Sequence, residues 1–152
     1  MRVLFVCTGN SCRSVMAHYL LVKMAKARGM SWEVASCGLV AESTFGVPEG
    51  VHRALAPRGV SAKAHIPQPL TPELLQWCDI ALAMTKMHRG FVVDQYPEHR
   101  KKVALFLEYT LGMKDTDVED PIGQPDQAYI ECRDLLERGL NALLERHAIK
   151  KS

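Results

Sequence analysis

The stretch Arg2-Val3-Leu4-Phe5-Val6-Cys7-Thr8-Gly9-Asn10-Ser11-Cys12-Arg13-Ser14 passes from an apolar run into a short polar loop, and an amphipathic segment follows. Arg2–Cys7 is short and rich in β-branched and aromatic residues, so it reads as a buried strand. From Ser14 to about Arg28, Met16, Ala17, Leu20, Leu21, Met24 and Ala25 recur on one face of a helix. A strand, a tight loop and a helix in that order open an α/β fold, where ligands bind beyond the carboxyl ends of strands. Cys7 stands at such an end.

The rest of the chain repeats the alternation. Trp32–Ser36, closed by Gly38, reads as a second strand, Ile80–Met84 as a third and Val103–Leu107 as a fourth. Helical patterns fall over Pro48 to about Pro57 and after Thr71-Pro72-Glu73, where proline occupies the first helical position. Thr85 is placed to cap the segment after the third strand. Asp126 is expected to cap a long terminal helix on which Tyr129, Cys132, Leu136, Leu140 and Leu143 recur at spacings of three and four. The pattern predicts a mostly parallel sheet covered on both faces. Between the last strand and that helix, Lys114–Gln127 is a long polar loop, the kind of connection that often carries function.

A cysteine and an arginine separated by five small or polar residues suit the binding of an anion. Residues 8 to 11 let the backbone curl so that successive N–H groups turn inward at a helix N-terminus, forming a nest for an anion. Arg13 returns a guanidinium fork able to hold two phosphoryl oxygens. The N–H dipoles, the helix terminus and Arg13 all favour Cys7 as a thiolate nucleophile, and Ser14 can donate its hydroxyl to the sulfur. A phosphorylated cysteine needs an acid for the leaving group and then a base for water. Asp120, held next to Pro121 on the long loop, is the candidate. Asp115, Asp117 and Glu119 on the same loop read as solvated charge.

Totals constrain little but exclude much. The chain has 152 residues, 47% hydrophobic and 24% charged, with a formal charge of +2. Those numbers fit one globular domain spanning 1–152 and point to neither nucleic acid nor membrane as a partner. The N-terminal apolar run is too short for a secretory signal or a membrane span, so a cytoplasmic protein is expected. The cysteines at 7, 12, 37, 78 and 132 lack C-x-x-C spacing, so no metal site is expected. Cys37, Cys78 and Cys132 read as packing residues. His52, His65, His88, His99 and His147 are scattered, with no catalytic role assigned, and the basic tail Lys150-Lys151 reads as solvated.

With the loop and Asp120-Pro121 in hand, the chain resembles the low-molecular-weight protein tyrosine phosphatase family nearly end to end. Ser36-x-Gly38, Pro69-Leu70-Thr71 and Asp79–Met84 are further markers in the right order. The resemblance implies a four-stranded parallel sheet in flavodoxin-like order. It implies Cys7 as nucleophile, Arg13 as transition-state clamp and Asp120 as general acid and base. Thr8, Gly9, Asn10, Ser11, Cys12 and Arg13 would form the phosphate loop, with Asn10 bracing it and Ser14 aiding thiolate departure. Cys12 would be a redox guard that pairs with Cys7 under oxidation. No cofactor is implied, and the substrate would be a phosphotyrosine protein.

Departures from the family pattern bear on substrate. Val15 stands where proline is usual and His18 where glutamate is common. Ile122-Gly123 follows the Asp-Pro instead of tyrosines, and Leu39-Val40 stands where an aromatic wall is often found. Ser11 replaces an isoleucine of phosphotyrosine enzymes, whereas the protein-arginine phosphatases of the same fold use threonine. Protein-arginine phosphatase is therefore the alternative. A thioredoxin-coupled arsenate reductase shares the loop but needs two more cysteines after the third strand, and Ala83–Arg89 has none.

Overall fold

A computed structural model describes residues 1–42, 44 and 46–151; the side chains of 149–151, including the tail Lys150-Lys151, lie outside the described residues. Four strands, β1 (Arg2–Cys7), β2 (Glu33–Gly38), β3 (Ile80–Ala83) and β4 (Val103–Leu105), form one sheet in the order β2-β1-β3-β4. Every pairing is parallel, with Cys7 opposite Gly38 and Val6 opposite Ala83. Among the described residues, six α-helices connect or flank them: α1 (Arg13–Ala27), α2 (Glu49–Leu55), α3 (Pro72–Trp77), α4 (Lys86–Gln95), α5 (Phe106–Leu111) and α6 (Asp126–Lys151). This is the expected flavodoxin-like architecture.

Alternation along β1 explains the two covered faces. Val3, Phe5 and Cys7 point into a core shared with α1, α2, α5 and α6, while Leu4 and Val6 point into a smaller core with Leu75 of α3 and Val92 of α4. Both faces of β1 are dry, as a central parallel strand requires. Phe5 meets Phe106 edge-on at 6.1 Å, and each ring buried this fully contributes about 2–3 kcal/mol by area alone. Because the order places β2 on one side of β1 and β3 on the other, the chain reverses direction across the sheet at the β1/β3 boundary. A crevice opens there, at the carboxyl end of β1.

Several boundaries differ from the sequence reading. The fourth strand stops at Leu105, and Phe106–Leu111 turns at once into α5, which keeps Phe106 and Leu107 buried. Asp126 is the first residue of α6 rather than its cap; its carboxylate instead receives both Nε and Nη2 of Arg53, at 2.8 and 3.0 Å. Thr85 does cap α4, accepting from His88 N at 3.1 Å. No helix of the described residues is long and apolar enough to cross a membrane.

Candidate active site

The loop between β1 and α1 is shaped by bonds on its outer side. The carbonyls of Cys7 and Thr8 accept from Leu39 N and Val40 N, each at 3.0 Å, and that of Cys12 accepts from Met16 N at 2.9 Å. Turned outward, these carbonyls leave the pocket to N–H groups. Helix α1 begins at Arg13 with no acidic residue in its first turn, so its terminal donors face the pocket uncompensated. Asn10 adopts a left-handed φ of 53°, which asparagine tolerates better than most side chains. Gly38 lets the end of β2 approach: a Cβ there would lie 2.5 Å from Thr8 O and 2.8 Å from Asn10 N.

Within this frame the expected residues come together. A pocket of about 270 Å³ is lined by Cys7, Thr8, Gly9, Ser11, Cys12 and Arg13 of the loop, with Val40, Asp120 and Ile122 at its rim. Cys7 Sγ lies 2.8 Å from Ser14 Oγ, and Asn10 Nδ2 donates to the same oxygen at 2.9 Å. The Asn10 donation leaves the Ser14 proton free to point at sulfur. Arg13 is buried; its Nη1 donates to Val118 O at 2.9 Å, and its Nη2 stands 3.6 Å from Asp120 Oδ2. Asp120 is partly exposed and steadied by Ile122 N, which donates to its Oδ1 at 3.0 Å. All five cysteines are free and buried. Burial pushes the Cys12 thiol well up, helped next by nearby Cys132, and Cys132 itself is pushed up to about 12.

Two histidines without an assigned role turn out to grip the loop. His65 Nε2 sits 3.0 Å from Asn10 O and 3.1 Å from Asn10 Oδ1, while Gln68 N donates to that Oδ1 at 3.1 Å. Tyr19 OH meets His65 Nδ1 at 3.0 Å, and His18 stacks on Tyr19 while its Nδ1 meets Ser36 Oγ at 2.8 Å. On the opposite side, His88 of α4 is fully buried and places Nε2 2.8 Å from Thr8 Oγ1. No local signal marks either residue, because their partners are far away in the chain.

These rings make stability depend on pH. Burial, and then the neighbouring Arg13, push His88 down to about 4 from an ordinary 6.5, against smaller opposing pulls from Asp117 and Asp120. Burial, and then His65, push His18 down to about 4 as well. Between about pH 6.5 and pH 4 the unfolded chain therefore binds more protons than the folded one. The stabilisation is complete above 6.5 and is lost as pH falls toward 4, on the order of 3 kcal/mol for His88. The thermal midpoint is expected to fall from pH 7 to pH 4.5, and to fall less in His88→Gln. Equal falls in the two proteins would contradict this.

A phosphate loop closed by a cysteine and an arginine, set at the switch point of a parallel sheet, defines a cysteine-dependent phosphatase. The chain belongs to the low molecular weight phosphotyrosine protein phosphatase family, whose model matches residues 2–152. It is 36% identical over 146 residues to a protein-arginine-phosphatase of Bacillus subtilis (strain 168), covering 96% of each chain. It is 31% identical over 137 residues to the low molecular weight protein-tyrosine-phosphatase Wzb of Salmonella typhi, covering 90% of this chain and 87% of Wzb. A solved structure of the YwlE arginine phosphatase, a Cys-to-Ser mutant with a phosphorylated active-site serine, superposes with a TM-score of 0.91. Its identity is 35%, over 96% of this chain and 95% of that one. The protein is accordingly a hydrolase, a protein phosphatase of the cysteine-dependent type.

Proposed function

We propose that the chain, as one phosphatase domain over 1–152, dephosphorylates proteins through a phosphocysteine on Cys7 and prefers phosphoarginine. The observation carrying the mechanism is that Cys7, Arg13 and Asp120 line one pocket together. Cys7 thiolate attacks phosphorus, and the bond from phosphorus to the leaving atom breaks while Asp120 supplies that atom's proton. Arg13 and the N–H groups of residues 8–13 hold the oxygens as charge builds. Water then attacks the phosphocysteine, Asp120 takes its proton, and the departing thiolate is received by the Ser14 hydroxyl. Cys12, which lines the same pocket, guards Cys7 by disulfide formation under oxidation. The reducing cytoplasm suits a working thiol.

The preference rests on the rim. Among the described residues lining the pocket none is aromatic; Ser11, Val40, Ile122 and Asp120 stand there. A phosphotyrosine ring gains much of its affinity from aromatic walls. A guanidinium leaving group gains instead from a small polar neighbour and a carboxylate. The arginine phosphatase relative supports this reading, and the Wzb relative favours phosphotyrosine as the second one. Paired peptides carrying one or the other residue decide: kcat/KM should favour phosphoarginine by about tenfold or more. A preference for phosphotyrosine would reverse the substrate assignment and leave the phosphocysteine chemistry standing.

Asp120→Ala separates the acid from the clamp. Among aryl phosphates, hydrolysis with poor leaving groups should slow by about 10²-fold or more, and with good leaving groups much less. Equal slowing across the series would remove Asp120 as the leaving-group acid.

A further inference from the structure

His88 supports the pocket but has no part in the phosphocysteine scheme. It is fully buried in the first turn of α4, shortly after β3, so the β1/β3 switch point brings it beneath the loop that follows β1. Its backbone N–H is fixed on Thr85 Oγ1, and its ring Nε2 lies 2.8 Å from Thr8 Oγ1. The other ring nitrogen, Nδ1, is buried with no hydrogen-bond partner among the described residues. A buried N–H without an acceptor is the rarer and costlier orphan, so the ring proton belongs on Nε2. Burial of the ring, and then Arg13 nearby, disfavour its charged form. Nε2–H therefore donates, Thr8 Oγ1 accepts, and the hydroxyl of Thr8 keeps its own proton to give.

Thr8 lines the pocket next to Cys7, whereas His88 does not line it. We propose that His88 is a positioning residue: by donating to Thr8 Oγ1 it makes the Thr8 hydroxyl a fixed donor to an oxygen of the bound phosphoryl group. Without His88, Thr8 rotates freely and for part of the time turns a lone pair toward an oxyanion. With it, the loop gains one preorganised side-chain donor beside Arg13, at no cost in reorganisation during the reaction.

The inference rests on residues 7–13 being the oxyanion site, so the test reads binding as well as turnover. Affinity for inorganic phosphate, together with kcat and KM on an aryl phosphate, is measured for Thr8→Val, His88→Leu, the double variant and His88→Gln. The Gln amide can place an N–H near the position of Nε2. Each single apolar variant should weaken phosphate binding and lower kcat/KM by about tenfold, and the double variant should be no worse than either. His88→Gln should stay within about threefold of the parent. His88→Met takes the place of His88→Leu in the cycle if the latter does not fold. The proposal is overturned if Thr8→Val costs the same factor with and without His88, or if glutamine fails to restore affinity. Should the parent bind phosphate yet turn nothing over, the phosphocysteine reading fails while the binding cycle still decides the role of His88.

Discussion

A Cys7→Ser variant is expected to keep its affinity for inorganic phosphate and phosphoprotein within about threefold while turnover falls by about 10⁴-fold or more. The groups proposed to hold the oxyanion, Arg13 and the loop backbone, are untouched by exchanging sulfur for oxygen. What is lost is nucleophilicity. The side chain bonded to Cys7 Sγ is a donor: Ser14 Oγ at 2.8 Å, itself accepting a hydrogen bond from Asn10 Nδ2 at 2.9 Å. Such a shell favours an anion already formed, as a thiolate is, but offers no base to take the proton of a neutral hydroxyl. The Nε2 atoms of His65 and His88 are engaged with Asn10 and Thr8, and His88 does not line the pocket. Any phosphoryl group that does transfer would remain on the hydroxyl, because an alkoxide leaves phosphorus far less readily than a thiolate. Equilibrium binding and single-turnover kinetics on one preparation check both halves. Turnover within tenfold of the parent would remove Cys7 from the chemistry.

The parts of this site that could be read in the sequence are those whose partners lie close in the chain. Cys7, Arg13 and Ser14 fall within eight residues, bracketed by an apolar run and an amphipathic helix, so strand, loop and helix announce themselves together. Asp120 was legible because proline follows it on a long polar loop. The pattern overextends the fourth strand because Val103–Leu107 is a short apolar run, and a buried helix start is indistinguishable from a buried strand over five residues. The local pattern around Asp126 suggests a cap because it cannot foresee Arg53, which the packing of α2 on α6 brings to it. His65 and His88 were illegible for the same reason at longer range. They reach the phosphate loop from separate connections on its two sides, and the strand order that makes them neighbours is a property of the whole sheet. A histidine's role here is set by topology, which leaves no trace in its immediate neighbours.

That dependence on topology is sharpest where β2 touches the loop, and Gly38→Ala is expected to lower kcat/KM by about 10²-fold. The added Cβ would stand 2.5 Å from Thr8 O, 2.8 Å from Asn10 N and 2.9 Å from Gly9 C. All three are backbone atoms, so no flexible side chain can swing away, and either β2 or the loop must move. β2 is held by its full register with β1 and by Gly38 itself, whose N–H donates to Gln68 O and whose carbonyl accepts from Leu70 N, each at 2.9 Å. The loop is the weaker side, and its displacement carries Thr8 away from His88 and Asn10 away from Ser14. The overpacking should also cost about 1–3 kcal/mol of stability. Gly90→Ala is the control: its added Cβ meets nothing within 4 Å, and alanine suits the interior of α4 better than glycine. Kinetics and thermal midpoints of the two variants separate loop geometry from general damage. A Gly38→Ala protein within threefold of the parent would mean that the loop adapts to β2, and that its shape is not what organises the catalytic groups.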